Sequence, residues 1–263
     1  HRHLKQPRKV TPGKDSMKGA YLGPEYTPEE IETYLKGTGA KYHRPSREEL
    51  HRQVAKHMAD GKILGWFNGR MEFGPRALGN RSIIGDARNP KMQADMNIKI
   101  KFREGFRPFA PSVLRERVHE YFELDGDSPY MLLVAPVKKE RQIPMSEKHS
   151  DLWGIDKLNV LRSDIPAVTH IDYSARIQTV TPDTNRDYYD MIKAFEKETG
   201  CPVVINTSFN VRGEPIVMTP EDAYRCFMRT HIDFLVLGPF ILDKTEQPNW
   251  KETADWRQEF QLD

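Results

Sequence analysis

The sequence predicts an α/β protein, and three observations carry that prediction. Stretches of helical periodicity alternate with short apolar runs along most of the chain. Helix starts are spelled out by Thr27-Pro28-Glu29-Glu30, Ser46-Arg47-Glu48-Glu49 and Thr219-Pro220-Glu221-Asp222, each a hydroxyl cap followed three residues later by a carboxylate. Val203-Val204-Ile205, bounded by Gly200 and a polar loop, reads as a buried strand.

Taken in order, residues 1 to about 45 are rich in Lys, Pro, Gly and Tyr and read as a linker or the edge of a missing N-terminal domain, with one short helix. Thr27 caps that helix, Pro28 pre-sets its first turn, and Gly37 is expected to end it. Ser46 opens a second helix with Leu50, Val54 and Met58 on one face, stopped by Gly61. A strand follows over about Lys62 to Phe67, then a Gly-rich loop. Asn89-Pro90 starts a third helix to about Ile100, with Met92 and Met96 one turn apart and extended chain after it. Tyr130 to Val137 and Ala167 to Thr169 read as strands around a polar stretch, Lys138 to Asp164. Asp187 to Thr199 is amphipathic through Met191, Ile192 and Phe195, and Gly200 ends it. Cys201 to Ile205 is the buried strand, Thr219 caps another helix, and Phe234 to Leu242 is the last strand. The residues from 244 to 263 are charged and read as a tail. No internal repeat is visible.

Charge narrows the function classes. Among 263 residues, 40 Lys+Arg against 38 Asp+Glu leave a net +2, so bulk charge cannot supply nucleic-acid affinity. Anion binding must come from a local cluster. No run approaches the roughly 18 to 20 uncharged apolar residues of a membrane helix, so no membrane partner is expected. The two cysteines, Cys201 and Cys226, fit packed thiols in a reducing, cytoplasmic compartment. The opening His1-Arg2-His3-Leu4-Lys5 has no Met and no apolar leader stretch, and reads as a piece of something longer.

Four loops concentrate the residues that carry chemistry. Gly69 to Ser82 holds three glycines and three arginines, Arg76 among them; backbone N–H groups and guanidinium forks suit phosphate, and a tight turn with surface arginines explains the same residues. Lys101 to Pro111 interleaves Lys101, Arg103 and Arg107 with Phe102, Phe106 and Phe109, suiting an anion joined to a flat base. Core phenylalanines with solvated basic neighbours explain the same pattern. Neither Lys101 nor Arg107 falls on an apolar face. In Thr169 to Arg176, His170 and Asp172 share a strand face and suit an acid–base pair, although a histidine so placed is more often a hydrogen-bonded structural residue. The nine histidines show no zinc spacing. Asn206 to Pro215 leaves the buried strand at its carboxyl end, where α/β sheets bind ligands, and offers Ser208, Asn210 and Arg212 as donors.

Together these loops resemble the C-terminal domain of the NodU/CmcH family of O-carbamoyltransferases. The matching stretches are Gly65 to Ser82, Lys101 to Pro111, Thr169 to Val180 and Asn206 to Val217, in family order. The resemblance implies a YrdC-like fold, a twisted open mixed sheet with flanking helices, over residues 46–243. It implies a carbamoyltransferase domain that makes carbamoyl-adenylate from ATP and carbamoyl phosphate with loss of pyrophosphate. A separate, actin-like N-terminal domain would then pass the carbamoyl group to a hydroxyl acceptor, and Leu22-Gly23-Pro24 looks like the junction to it. Residue by residue, the family's Lys/Arg pair and Ser-x-Asn loop fall on Lys101, Arg107, Ser208 and Asn210. Arg176 joins as an added arginine, with Arg76 and Arg212 placed by loop chemistry. Lys101, Arg107 and Arg176 would act in catalysis on ATP with Mg²⁺, and Phe102 or Phe106 would line the adenine pocket; no metal-ligand carboxylate is assigned. Threonylcarbamoyl-adenylate synthesis, and a nucleotide- or RNA-binding module without catalysis, are the alternative readings.

Overall fold

The computed structural model describes residues 3–7, 15–146, 152, 153, 157 and 160–250. Among them, eight strands form one open sheet: β1 (Leu64–Phe67), β2 (Arg81–Asp86), β3 (Ala110–Leu114), β4 (Leu133–Pro136), β5 (Ser174–Val180), β6 (Val203–Ser208), β7 (Phe234–Leu237) and β8 (Phe240–Asp243). Their spatial order is β4-β5-β3-β6-β2-β1-β7-β8. β1 runs parallel to β7 and β3 parallel to β5, while the other pairs are antiparallel, so the sheet is mixed. The helices are α1 (Pro28–Thr38), α2 (Arg47–Ala59), α3 (Met92–Lys99), a single turn α4 (Val118–Tyr121), α5 (Arg186–Thr199) and α6 (Pro220–Arg229). The class is α/β, as the alternating pattern predicts.

Helices cover both faces. Trp66 on β1 points to α2 and α5, lying 6.3 Å from the rings of both His51 and Tyr188. Its neighbour Gly65 points the other way, and a side chain there would strike Phe209 and Leu235. Gly85 shares that second face, where Met92 and Met96 of α3 press on it. The core between these layers is continuous and includes Val54, Trp66, Ile192, Ile205 and Phe227, all inaccessible to solvent.

The caps explain the helices locally. Thr27 and Glu30 form both halves of a capping box, at 3.2 and 2.7 Å, and Thr219 with Asp222 forms another. Gly37 does not end α1. The helix continues to Thr38 because Gly39, at φ 70°, takes the left-handed turn and lets Ala40 N–H reach Leu35 O. Ahead of residue 46, α1 is packed rather than loose: it lies against α6 and buries Ile31 and Leu35 in the common core. Gln247, in the segment read as tail, holds Lys41 through both its amide nitrogen and oxygen. Residues 251–263 lie outside the described residues.

Three strand expectations change. Ala167 to Thr169 is not a strand: Pro166–Val168 forms a 3-10 turn, and β5 begins only at Ser174, after Asp172 has capped the bend. Phe234 to Leu242 is two strands, not one, because Gly238 at φ 55° turns the chain back on itself. β2 and β3 lie in stretches read as loop. Arg81 and Gly85 in one, and Pro111 in the other, conceal the apolar alternation.

Candidate functional site

Lys101 follows α3 directly and is buried, 3% exposed, contrary to what its sequence neighbourhood suggests. Its Nζ donates to Ser208 O, to Asn210 O at 2.9 Å and to Asn210 Oδ1 at 2.8 Å, with Ser208 Oγ at 3.4 Å. All four acceptors are neutral. Ser208 Oγ also donates to Asn210 Oδ1 at 2.7 Å, and Asn210 Nδ2 donates to Glu214 O at 2.7 Å, which folds the loop after β6 around the ammonium. Burial pushes Lys101 down to about 7, and the nearby Arg103 cation adds to the effect. A buried ammonium held by neutral dipoles alone is poised to accept an anion.

The loop from Lys101 to Pro108 brings more cations to the same place. Glu104 sits between Arg107, 3.0 Å away, and Arg212, 3.8 Å away. Arg212 N–H also donates to Lys101 O at 3.3 Å. Arg103, not among the site residues expected from sequence, is half-buried and donates from Nε to Asn97 Oδ1 at 2.6 Å. Burial, reinforced by Arg107 and Arg212, lowers it to about 10. Its position between Lys101 and Arg107 in the basic–aromatic run was the available signal. Phe102 packs against the core and Phe106 is exposed.

Arg76 and Arg176 form a second cationic group. Ser112 pairs with Gln178 and Ala110 pairs with Asn206, so period-two alternation puts Arg176, Ala110 and Asn206 on one face. Burial lowers Arg176, and the neighbouring Arg76 charge lowers it further. The buried Nε atoms of both arginines have no hydrogen-bond partner among the described residues. The loop that carries Arg76 is built on Glu72, whose Oε1 accepts Leu78 N–H at 2.7 Å and Asn80 N–H at 2.8 Å. Asn206 Nδ2 donates to Ala77 O at 3.1 Å, and Gln178 Nε2 donates to Leu78 O at 2.7 Å. Arg81, in the same loop, is structural. It is fully buried, lies 3.6 Å from the Phe67 ring centre, and donates to Asn68 O, Gly69 O and Asn80 O.

The seven residues named from sequence therefore fall in two groups: Lys101, Ser208, Asn210, Arg107 and Arg212 in one, Arg76 and Arg176 in the other. A cleft of about 750 Å³ is lined by Met71, Gly74, Glu214, Val217 and Met218 among others; none of the first group lines it, and it adjoins that group through Glu214, whose carbonyl accepts Asn210 Nδ2. His170 and Asp172 form no acid–base pair here. Asp172 Oδ1 accepts the Ser174 amide at 3.0 Å and its hydroxyl at 2.7 Å, which makes it a turn residue. Among the described residues no three His, Cys, Asp or Glu converge as metal ligands. Glu104, within the Lys101 loop, is taken up by Arg107 and Arg212, and Glu214 pairs with Arg229 at 3.3 Å, so this donor set does not fit a protein-held Mg²⁺.

An uncharacterized protein of Synechocystis sp. is 59% identical over 265 residues, covering all of this chain and 43% of that protein. The 3'-hydroxymethylcephem-O-carbamoyltransferase of Streptomyces clavuligerus is 32% identical over 188 residues, covering 72% of this chain and 32% of that enzyme. Among solved structures, full-length HypF in its phosphate- and nucleotide-bound form superposes with a TM-score of 0.45 at 17% identity, over 73% of this chain and 20% of that one. The chain thus spans less than half the length of the curated relatives it matches. Residues 55–244, which hold the whole sheet and both cationic groups, match the carbamoyltransferase C-terminus family, and the chain belongs to that family.

Proposed function

We propose that this chain is the adenylating domain of an ATP-dependent O-carbamoyltransferase. The observation that carries the reading is the convergence of Lys101, Ser208 and Asn210, a buried cation with two polar loop residues, beside Arg107 and Arg212. Such a cluster suits several phosphate groups at once, because the attacking and leaving oxygens both carry charge that must be offset. Water releases carbamate and phosphate from carbamoyl phosphate. A carbamate oxygen then attacks the α-phosphorus of ATP, and the bond to the β-phosphate bridging oxygen breaks to release pyrophosphate. Lys101 and Arg107 would hold the polyphosphate, Ser208 and Asn210 would orient it, and Arg76 with Arg176 would take the second anion.

Transfer to a hydroxyl acceptor belongs, in this reading, to an N-terminal actin-like domain of a longer cytoplasmic protein. No helix among the described residues is long and apolar enough to cross a membrane. The expected result is slow pyrophosphate release by this chain from ATP plus carbamoyl phosphate, lost in Ser208→Ala and Asn210→Ala, with no acceptor carbamoylated. Carbamoylation of an alcohol by this chain alone would put transfer in the wrong domain. Binding of RNA or ATP with no pyrophosphate release under any condition would instead favour a binding module.

Lys101 also gives the site a pH signature. Near neutral pH the free ammonium is close to half-protonated, and a bound anion favours its charged form. Binding should therefore take up a proton, and affinity should fall as pH rises above about 7. Stability without ligand runs the other way. The folded value, about 7, lies below the ordinary 10.5, so the charged lysine opposes folding at low pH and that penalty fades as pH rises from about 7 to about 10. Calorimetry of ATP binding in buffers of different ionisation enthalpy reads the proton directly; identical heats in all of them would refute the assignment.

A further inference from the structure

The stretch just before α1 grips the Arg76 loop. Gly23 N–H donates to Met71 O at 2.9 Å, Met71 N–H to Pro24 O at 2.8 Å, and Phe73 N–H to Ala20 O at 2.7 Å, a short antiparallel ladder outside the main sheet. Arginines from the loop side tighten it: Arg70 Nη2 donates to Leu22 O at 3.1 Å and Arg81 Nη2 to Pro24 O at 3.2 Å. Tyr21 Oη donates to Leu78 O at 2.8 Å. That carbonyl also receives Gln178 Nε2, which stands two residues from Arg176 on β5. One carbonyl thus ties the strap to the far end of the Arg76 loop and to the strand of Arg176.

The strap is itself held in a conformation that side chains rarely adopt. Lys18, Gly19 and Ala20 stand at φ 49°, 68° and 66°, and Asp15 fixes this bend by accepting Met17 N–H at 3.0 Å and Gly19 N–H at 2.7 Å. Asp15 in turn accepts the hydroxyl of Tyr130, near the start of β4. Asn185 Nδ2, at the cap of α5, donates to Tyr21 Oη at 3.3 Å. The bend, α5 and the Arg76 loop all meet at one tyrosine.

We infer that residues 20–24 are a positioning strap for the Arg76–Arg176 pair, with Tyr21 as its anchoring side chain. Both ends of the Arg76 loop are tied to it, Met71 and Phe73 at one end and Leu78 at the other, so the strap sets how far Arg76 stands from Arg176. Tyr21 acts through Leu78 and touches no reacting group. The consequence for ligand binding rests on the nucleotide reading above; the mechanical link does not.

Two substitutions in the full chain test it. A Cβ at Gly23 would lie 2.9 Å from Met71 Cβ and Met71 O, so Gly23→Ala should lift the strap from the loop. Tyr21→Phe removes only the hydroxyl. Without ligand, amide exchange at Phe73, Leu78 and Asn80 should quicken about tenfold in Gly23→Ala and less in Tyr21→Phe, while Leu235 in β7 is unchanged. With ATP and carbamoyl phosphate, KM for at least one should rise about tenfold with kcat within about twofold, a split that general loosening would not produce. Unchanged exchange at those amides in both variants overturns the strap. If Gly23→Ala does not fold, Tyr21→Phe decides the same question. If the unaltered chain releases no pyrophosphate, the nucleotide reading fails while the exchange data still judge the strap.

Discussion

Replacing Lys101 by alanine should lower pyrophosphate release about 10³-fold, the largest loss from any single side chain in the site. Its Nζ reaches four acceptors, two on the last residue of β6 and two in the loop after it, and its charge is offset by no carboxylate bonded to it. A charge-assisted contact to a phosphate contributes about 1.5 to 3 kcal/mol, and a buried ammonium at a polyphosphate makes more than one. Two opposing effects act on stability. Truncation strands the acceptors of Ser208 and Asn210, at about 1 to 3 kcal/mol, yet it also removes a charge that burial disfavours. Lys101→Met keeps the volume and separates the two. Activity should fall as far as in the alanine variant, with a melting temperature within a few degrees of the unaltered chain. Arg107→Ala should cost less, since Arg107 is partly exposed and already shares Glu104 with Arg212. If Lys101→Met retains full activity, the cradle is structural and the chemistry lies elsewhere.

Gly79→Ala should destabilise the fold by about 3 to 5 kcal/mol, a large part of the roughly 5 to 15 kcal/mol that holds a domain together. At φ 106° the backbone is one that alanine adopts only under strain, of order 1 to 3 kcal/mol. The new Cβ would also lie 2.3 Å from Tyr188 Cδ1, against a ring that is itself fully buried, and overpacking of that kind adds about 1 to 3 kcal/mol. Gly74→Ala is the matched control. Gly74 also has a positive φ, 146°, but a Cβ there meets nothing within 4 Å. Urea titration of both variants isolates the collision. Equal losses would mean that the Arg76 loop does not press on α5 as described. Gly79 O also accepts the Trp66 indole N–H at 2.9 Å, so the same change should alter tryptophan fluorescence before unfolding.

Much of the fold was legible because its signals are local. Thr27, Ser46 and Thr219 each accept the amide three residues on, and α2 and α5 follow the apolar spacing of Val54 with Met58 and of Ile192 with Phe195. Gly200 ends α5 at φ 76° for the reason any sequence reader would give. The strands were harder. β2 carries Arg81, Ser82 and Asp86 yet is buried along its whole length, and only its position between β1 and β6 makes that tolerable. Its serine accepts Gly79 N–H, and its arginine is satisfied by carbonyls, Pro24 O among them, and by an aromatic face, partners that residue type alone does not announce.

The site divides along the same line. Sequence alone named Lys101, Ser208 and Asn210 and put the last two on the loop at the carboxyl end of a buried strand, because residue type and chain order are properties of the string. It also established the α/β class, the near-neutral charge, and the resemblance that the family match bears out. Tertiary structure decided the rest. It buried Lys101 under a loop 107 residues away, set Arg176 beside Arg76 across a 100-residue gap, and turned Arg81 inward while its loop neighbour Arg76 faces another cation. It also made a strap of residues 20–24, which read from sequence as linker. The reason is physical: burial, and the company a charge keeps, depend on long-range packing. A lysine's charge is indifferent in water and costly in a core, and only the folded chain says which surrounds it.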